Sequence, residues 1–481
     1  MSDDLKSRTF RGVFWSFFER FSVQGVQFVL GIVLARLLLP SDYGIIAMLA
    51  IFMSISQVFI DGGFSSALIQ CSDRTARDYS TVFYINLGIS LLCYAALYLG
   101  APAIAAFYDQ PLLVPVTRVY ALNLVLNSLV AVHRVQLTID LNFKVQSKIS
   151  LGAAVLSGLA GIAAAWAGWG VWALVVQMLC SAAVNVLLSY YYVRWLPGWT
   201  FSGASFRKLF LFGSKLLAAS LINSVYTNLY TLVIGKKFPP ASLGVYTRAD
   251  QFAQFTSTNI AGILSRVFFP VLSRFQDDDE RLKRVYSKYI QLSAFLVFPL
   301  ILGLCGVARP LILLLLTEKW SGSILLLQIL CAGCLWTCIT TINLNLLYVK
   351  GRSDLVLRLE VIKKSVALLI LLATIPFGLI AICAGLSVYS FLAFYMNTYY
   401  TRKLLDYGFL RQLRELFPYL FLSLVVLAEA LLLSRFVESH LLSLILSLCL
   451  CSATYIVLGY LLRVSALDEL FQLVFKRSCY R

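Results

Sequence analysis

The sequence predicts an all-α polytopic membrane protein of about fourteen transmembrane helices, built as two six-helix lobes with a further pair of helices at the C-terminal end. Three observations predict it: the composition, an unbroken succession of apolar runs, and a turn motif repeated two hundred residues apart. Of 481 residues, 60% are hydrophobic and 13% charged, whereas an ordinary soluble domain is about a quarter charged. A soluble core of this length has no place for so much apolar side chain. Lipid does: a helix crosses it with about 20 mostly apolar residues and satisfies its own backbone hydrogen bonds in doing so.

Apolar runs between charged or turn-rich breaks place the helices near 11–38, 43–70, 80–107, 112–136, 149–167, 170–193, 209–235, 242–272, 288–316, 321–349, 359–376, 378–401, 413–434 and 441–462. The first run follows Lys6, Arg8 and Arg11 without a small-residue cleavage site, so it is expected to stay in the protein. The distribution of Lys and Arg tests this parse, because cytoplasmic connections are enriched in them. Twenty-nine of the forty fall in the two tails and in the connections on the N-terminal side. With charges near a span's end counted with the adjoining connection, six fall on the opposite side and five, namely Arg20, Arg118, Lys215, Arg248 and Arg266, fall inside candidate spans. A wrong number of spans scrambles such an alternation. Both termini are therefore expected on the cytoplasmic side, with an even number of spans.

The net charge of +17 needs no nucleic acid, since basic connections facing anionic lipid headgroups produce the same excess. The run QDDDERLKR at 276–284 resembles an acidic metal motif of sugar transferases only superficially; without a nucleotide-binding domain around it, it reads as a solvated connection. The eleven cysteines sit mostly in apolar runs, as in ILCAGCLWTC with Cys331, Cys334 and Cys338, where they act as small apolar packing residues. The two histidines, His133 and His440, lie in separate regions and do not suggest a metal or catalytic centre. No cofactor is implied, and no P-loop for ATP is present.

The internal duplication gives the organisation. The segment after the first helix reads ARLLLPSDYG (35–44) and that after the seventh reads GKKFPPASLG (235–244), so Pro40 matches Pro240 and Gly44 matches Gly244. A Pro followed by Gly is a common turn, but each copy here joins the first two helices of a six-helix set. Six is even, so the two sets share one orientation and relate by a pseudo-two-fold along the membrane normal, a transporter plan with substrate between repeats. The expected division is a cytoplasmic tail over 1–10, an N-lobe over 11–195, a linker over 196–208, whose Pro and Gly suggest a hinge, a C-lobe over 209–402, helices 13 and 14 over 403–464, and a cytoplasmic tail over 465–481. No repeated filter-like motif points to a channel.

The stretches VFWSFFERFSVQGVQFVLGIVLARLLLPSDYGIIAM (13–48), DGGFSSALIQ (61–70) and STVFYINL (80–87) resemble the polysaccharide transporters of the multidrug/oligosaccharidyl-lipid/polysaccharide superfamily. Within it the likeness is to the Wzx-type flippases and their colanic-acid-exporter branch. LGVYTRADQF (243–252) and SRVFFPVLSRFQDD (265–278) are similar to the same family in the second lobe. The resemblance implies two six-helix bundles of the kind also found in multidrug exporters, with helices 13 and 14 outside. It implies a carrier, not an enzyme, that turns a polyprenyl-pyrophosphate-linked oligosaccharide across a bacterial inner membrane. Its partners would be that lipid-linked oligosaccharide, the membrane lipids and other polysaccharide-assembly proteins.

Ionisable groups at membrane depth are functional candidates. Arg20 lies nine residues beyond Arg11, about 13 Å along the helix at 1.5 Å per residue. Arg20, Gln24, Gln27 and Gly31 recur at i, i+4, i+7 and i+11, hence on one face. On the seventh helix Ser220, Asn223, Thr227 and Tyr230 share a face, with Lys215 nearer the cytoplasmic side. The candidates for substrate contact are therefore Arg20, Gln24, Gln27, Lys215, Asn223 and Arg248, and Asp61 and Asp250 are candidates for a coupling ion. Structural readings stand beside these: Arg20 can pair with Glu19, Lys215 can reach the surface, and Asp61 precedes Gly62 and Gly63 and can shape a helix break. Two other functions compete with the flippase. One is a cation-coupled drug exporter of the same superfamily, and the other is a membrane-embedded polysaccharide polymerase or ligase, against which the short outer connections argue.

Overall fold

The computed structural model describes residues 22–71, 73–462 and 464, and among them there is no strand. Seventeen α-helices follow one another: α1 (Ser22–Leu37), α2 (Pro40–Asp61), α3 (Phe64–Gln70), α4 (Ala76–Tyr108), α5 (Leu113–Tyr120), α6 (Leu122–Ile139), α7 (Phe143–Trp166), α8 (Val171–Val193) and α9 (Gly203–Lys237). Then come α10 (Pro240–Ser273), α11 (Asp279–Gly306), α12 (Ala308–Leu316), α13 (Gly322–Val349), α14 (Ser353–Thr374), α15 (Leu379–Leu405), α16 (Phe409–Phe436) and α17 (His440–Leu461). Among the described residues, twelve stretches are long and apolar enough to cross a membrane. The other two of the fourteen expected spans are α1 and α14. Over its described residues α1 is a shorter apolar helix, and α14 carries Asp354, Arg358, Glu360, Lys363 and Lys364. The protein is a multi-pass helical membrane protein.

Local chemistry explains the element ends. Pro40 opens α2 at a position where a missing N–H costs nothing, and the Asp42 carboxylate accepts the Leu39 N–H at 2.9 Å. Thr75 and Asp78 cap α4, and Asp278 caps α11 by accepting the Arg281 N–H at 3.0 Å. The second span is two helices: α2 stops at Asp61, Gly62 and Gly63 take left-handed φ of 51° and 74°, and α3 restarts at Phe64. The fourth and ninth spans are likewise each divided, at Ala121 and at Val307.

The chain packs as two compact units, Met1–Gly244 and Val245–Arg481. In the first, α2 packs on α9, α4 on α6, and α7 and α6 on α8. The repeated Pro–Gly turns meet here: a Cβ on Gly44 would overlap the Pro240 carbonyl, and a Cβ on Gly244 would overlap the Pro40 carbonyl. Glycine at both positions is thus explained by mutual backbone contact. The segment 196–208, expected as a linker, is hydrogen-bonded to α4, and Trp195 just before it to α6. His133 Nε2 donates to the Trp195 carbonyl at 3.2 Å, and the N–H groups of Gly198 and Ser202 donate to Ser80 Oγ and Thr81 Oγ1 at 3.0 and 3.1 Å. Two of these bonds tether 196–208 itself, and the third holds the residue just before it.

In the second unit, α13 packs on α15, and α11 on α13 and α16. A buried polar network ties these helices together. Asn343 Nδ2 donates to Gln412 Oε1 at 3.2 Å, and Gln412 Nε2 donates to Thr401 Oγ1 at 3.0 Å. Tyr286 donates to Asn343. Glu415 accepts from Ser287 at 2.5 Å, from Gln291 at 3.0 Å and from the Tyr407 hydroxyl. Satisfied in this way, polar groups in an apolar surround specify one packing of α16 on the unit.

Candidate functional site

The first unit holds two adjoining cavities of about 710 and 450 Å³, within the range of about 300–1,000 Å³ common for ligand pockets. They share Ser54, Val58 and Ser220 and form one polar recess. Helical spacing builds each wall. On α2, Ser54, Gln57 and Asp61 recur at i, i+3 and i+7. On α6, Asn127, Ala131, Arg134 and Thr138 recur at i, i+4, i+7 and i+11. On α9, Ser220, Asn223 and Thr227 recur at i, i+3 and i+7. Each set lies on one face of its helix.

The α2–α9 wall is closed by contact of small groups. The hydroxyls of Ser54 and Ser224 hydrogen-bond at 2.6 Å. Two residues beyond Asp61, the backbone at Gly63 runs against that of Gly213. The larger cavity carries both charges of the recess, the Asp61 carboxylate and the Arg134 guanidinium, among amides and hydroxyls. Ser65 donates to Asp61 Oδ1 at 2.5 Å, which orients the carboxylate. The smaller cavity is lined by Ser, Thr, Asn, Val and Ala only. Among the described residues no group of three or more His, Cys, Asp or Glu is placed to hold a metal ion.

Of the sequence candidates, Asp61 lines the larger cavity and Asn223 the smaller one. Lys215 is exposed on α9 and lines neither. Gln24, half-buried, and Gln27, exposed, sit on α1 and line neither. Arg20 and its neighbour Glu19 lie outside the described residues. Arg248 and Asp250 belong to the second unit. There Arg248 Nη1 donates to Gln251 at 2.7 Å with its guanidinium 5.8 Å from the buried Trp320 ring, and Asp250 bonds Gln254.

Sequence reasoning missed Arg134, Gln57 and Asn127. Arg134 counts among the charges of the connection after the fourth span, yet α6 continues to Ile139 and carries it on the cavity face. The same i, i+4, i+7, i+11 test applied to Arg20 finds the Asn127–Thr138 stripe.

A polar, charge-bearing recess is thus walled by helices long and apolar enough to cross a membrane. The sequence model of the polysaccharide biosynthesis protein family matches residues 33–325, more than half of the chain, and the chain belongs to that family. The teichuronic acid biosynthesis protein TuaB of Bacillus subtilis is 28% identical over 302 residues, covering 62% of this chain and 62% of that protein. The lipopolysaccharide biosynthesis protein WzxC of Escherichia coli is 27% identical over 361 residues, covering 75% of this chain and 73% of that protein. The alignment thus spans under two thirds of TuaB. Among solved structures the lipid II flippase MurJ in an inward closed conformation superposes with a TM-score of 0.74 over 98% of this chain and 100% of that one, at 13% identity. The likeness is one of fold.

Proposed function

We propose that the protein is a flippase that moves a polyprenyl-pyrophosphate-linked oligosaccharide across the bacterial inner membrane by alternating access, and that it is not an enzyme. The observation that carries this reading is the recess in the first unit, polar and charged among helices long and apolar enough to cross a membrane, in a chain of the polysaccharide biosynthesis family. Polar groups are costly in lipid, and a headgroup of sugars and phosphates needs their replacement for its water as it crosses. The fold shared with a lipid II flippase supports the same use.

In this mechanism the repeats 11–195 and 209–402, joined by 196–208, alternate access. Helices 13 and 14 (403–464) lie outside them, and the tails 1–10 and 465–481 are cytoplasmic. Arg134, with Arg20, Lys215 and Arg248, offsets the diphosphate charge. Gln24, Gln27 and Asn223 contact the headgroup, and Asp61 or Asp250 carries a coupling cation. The lipid tail stays in the bilayer among the membrane lipids, and other polysaccharide-assembly proteins supply and consume the substrate.

The test uses bacteria lacking this protein. Lipid-linked repeat units should accumulate on the cytoplasmic leaflet and be cleared by wild type but not by Arg20→Ala. No accumulation, with altered drug tolerance instead, would hand the case to a cation-coupled drug exporter.

A further inference from the structure

The two adjoining cavities differ in a way that assigns them different parts of one substrate. The larger has a guanidinium and a carboxylate in its lining. The smaller has no ionisable and no aromatic side chain, only hydroxyls, two amides and two small apolar groups. A diphosphate stripped of water into such a lining would lack a counter-charge, which is strongly unfavourable. A pyranose ring has no charge and carries hydroxyls that both donate and accept. An amide, which does the same with its oxygen and its NH2, is its natural partner.

The free hydrogen-bonding capacity of α9 is arranged for that use. Asn228 Nδ2 donates to the Ser224 carbonyl at 2.9 Å and Thr227 Oγ1 to the Asn223 carbonyl at 2.8 Å. These bonds hold the two side chains in place in the cavity lining, with Asn228 Oδ1 and Thr227 Oγ1 still able to accept. The Asn223 amide makes no side-chain hydrogen bond among the described residues, and its side chain is exposed in the cavity. Ser54 and Ser224 are occupied with each other. With no ring to stack on, discrimination falls to hydrogen bonds. A site built to bond a hydroxyl rejects an analogue that lacks it far better than an apolar pocket rejects a change of size.

We propose that the smaller cavity is a neutral-sugar subsite in which Asn223 and Asn228 determine which glycan is accepted, distinct from the charged subsite of Asp61 and Arg134. This rests on the flippase reading above.

The experiment measures binding to the full-length protein in nanodiscs with two probes. One is polyprenyl pyrophosphate without sugar, and the other is the polyprenyl-pyrophosphate-linked oligosaccharide extracted from cells lacking the protein. The double variant Asn223→Ala/Asn228→Ala should bind the glycosylated lipid about tenfold more weakly, as expected for one or two lost hydrogen bonds, with unchanged affinity for the bare lipid. Arg134→Gln should weaken both lipids by a similar factor. A double variant that weakens both probes alike, or neither, overturns the division into subsites. Wild-type protein that binds neither probe overturns the flippase reading as well.

Discussion

Gly63 is required for two separate reasons: its φ is +74°, and the Gly213 carbonyl oxygen stands 2.6 Å from where a Cβ would be. An L side chain in the left-handed region costs roughly 1–2 kcal/mol, and forcing atoms into a packed contact adds about 1–3 kcal/mol. Gly63→Ala should therefore destabilise the protein by about 2–5 kcal/mol, read as a lower unfolding midpoint in detergent. Gly88→Ala, with nothing within 4 Å of the added methyl, should leave that midpoint unchanged. The Gly62–Gly63 break was legible in the sequence because two glycines interrupt an apolar run after Asp61. Its contact was not, because Gly213 lies 150 residues away and carries no mark of its own. Arg134 was hidden for a different reason. A charge near the end of an apolar run looks like the start of a connection, and only the length of α6 puts it inside a wall.

At the scale of elements, α2 and α9 pack along much of their length, and the hydroxyls of Ser54 and Ser224 bond across the seam at 2.6 Å. If access alternates as proposed, this seam must part in one half of the cycle. In a cysteine-free background, Ser54→Cys/Ser224→Cys should form a disulfide on mild oxidation, since the native hydroxyl oxygens are 2.6 Å apart and the short Cβ separation this implies suits the bond. Oxidation should stop transport and reduction restore it. Full transport by the oxidised protein would show that the seam stays closed throughout. The helices themselves were readable from hydropathy, as α4, α8 and α13 show by lying within a few residues of their apolar runs. Their polar extensions were not. α9 begins at Gly203 and α14 at Ser353, several residues before the hydrophobic stretch, because capping and tertiary contact continue a helix beyond the lipid-soluble part.

For the whole molecule, the repeated turn is the feature that joins sequence to architecture. Pro40 and Gly44 match Pro240 and Gly244 in the sequence, and each glycine admits the other turn's proline carbonyl. Neither motif alone predicts that contact. Composition does not show the contacts of the segment between the repeats: the N–H groups of Gly198 and Ser202 bond Ser80 and Thr81 of α4. The location of the recess followed from packing. Asp61 and Asn223 were visible as polar residues in apolar helices, but nothing in the sequence brings α2, α6 and α9 to one wall.

The central claim is that this chain moves a lipid-linked oligosaccharide between leaflets, and reconstitution tests it most directly. Purified protein in liposomes loaded symmetrically with the polyprenyl-pyrophosphate-linked oligosaccharide is challenged with a membrane-impermeant reagent that consumes only the outer-leaflet headgroup. With active protein, consumption should go past half of the lipid toward completion, and Arg134→Gln should slow the second half at least tenfold. Consumption that stops at half with wild type, in vesicles shown to contain folded protein, would contradict the account.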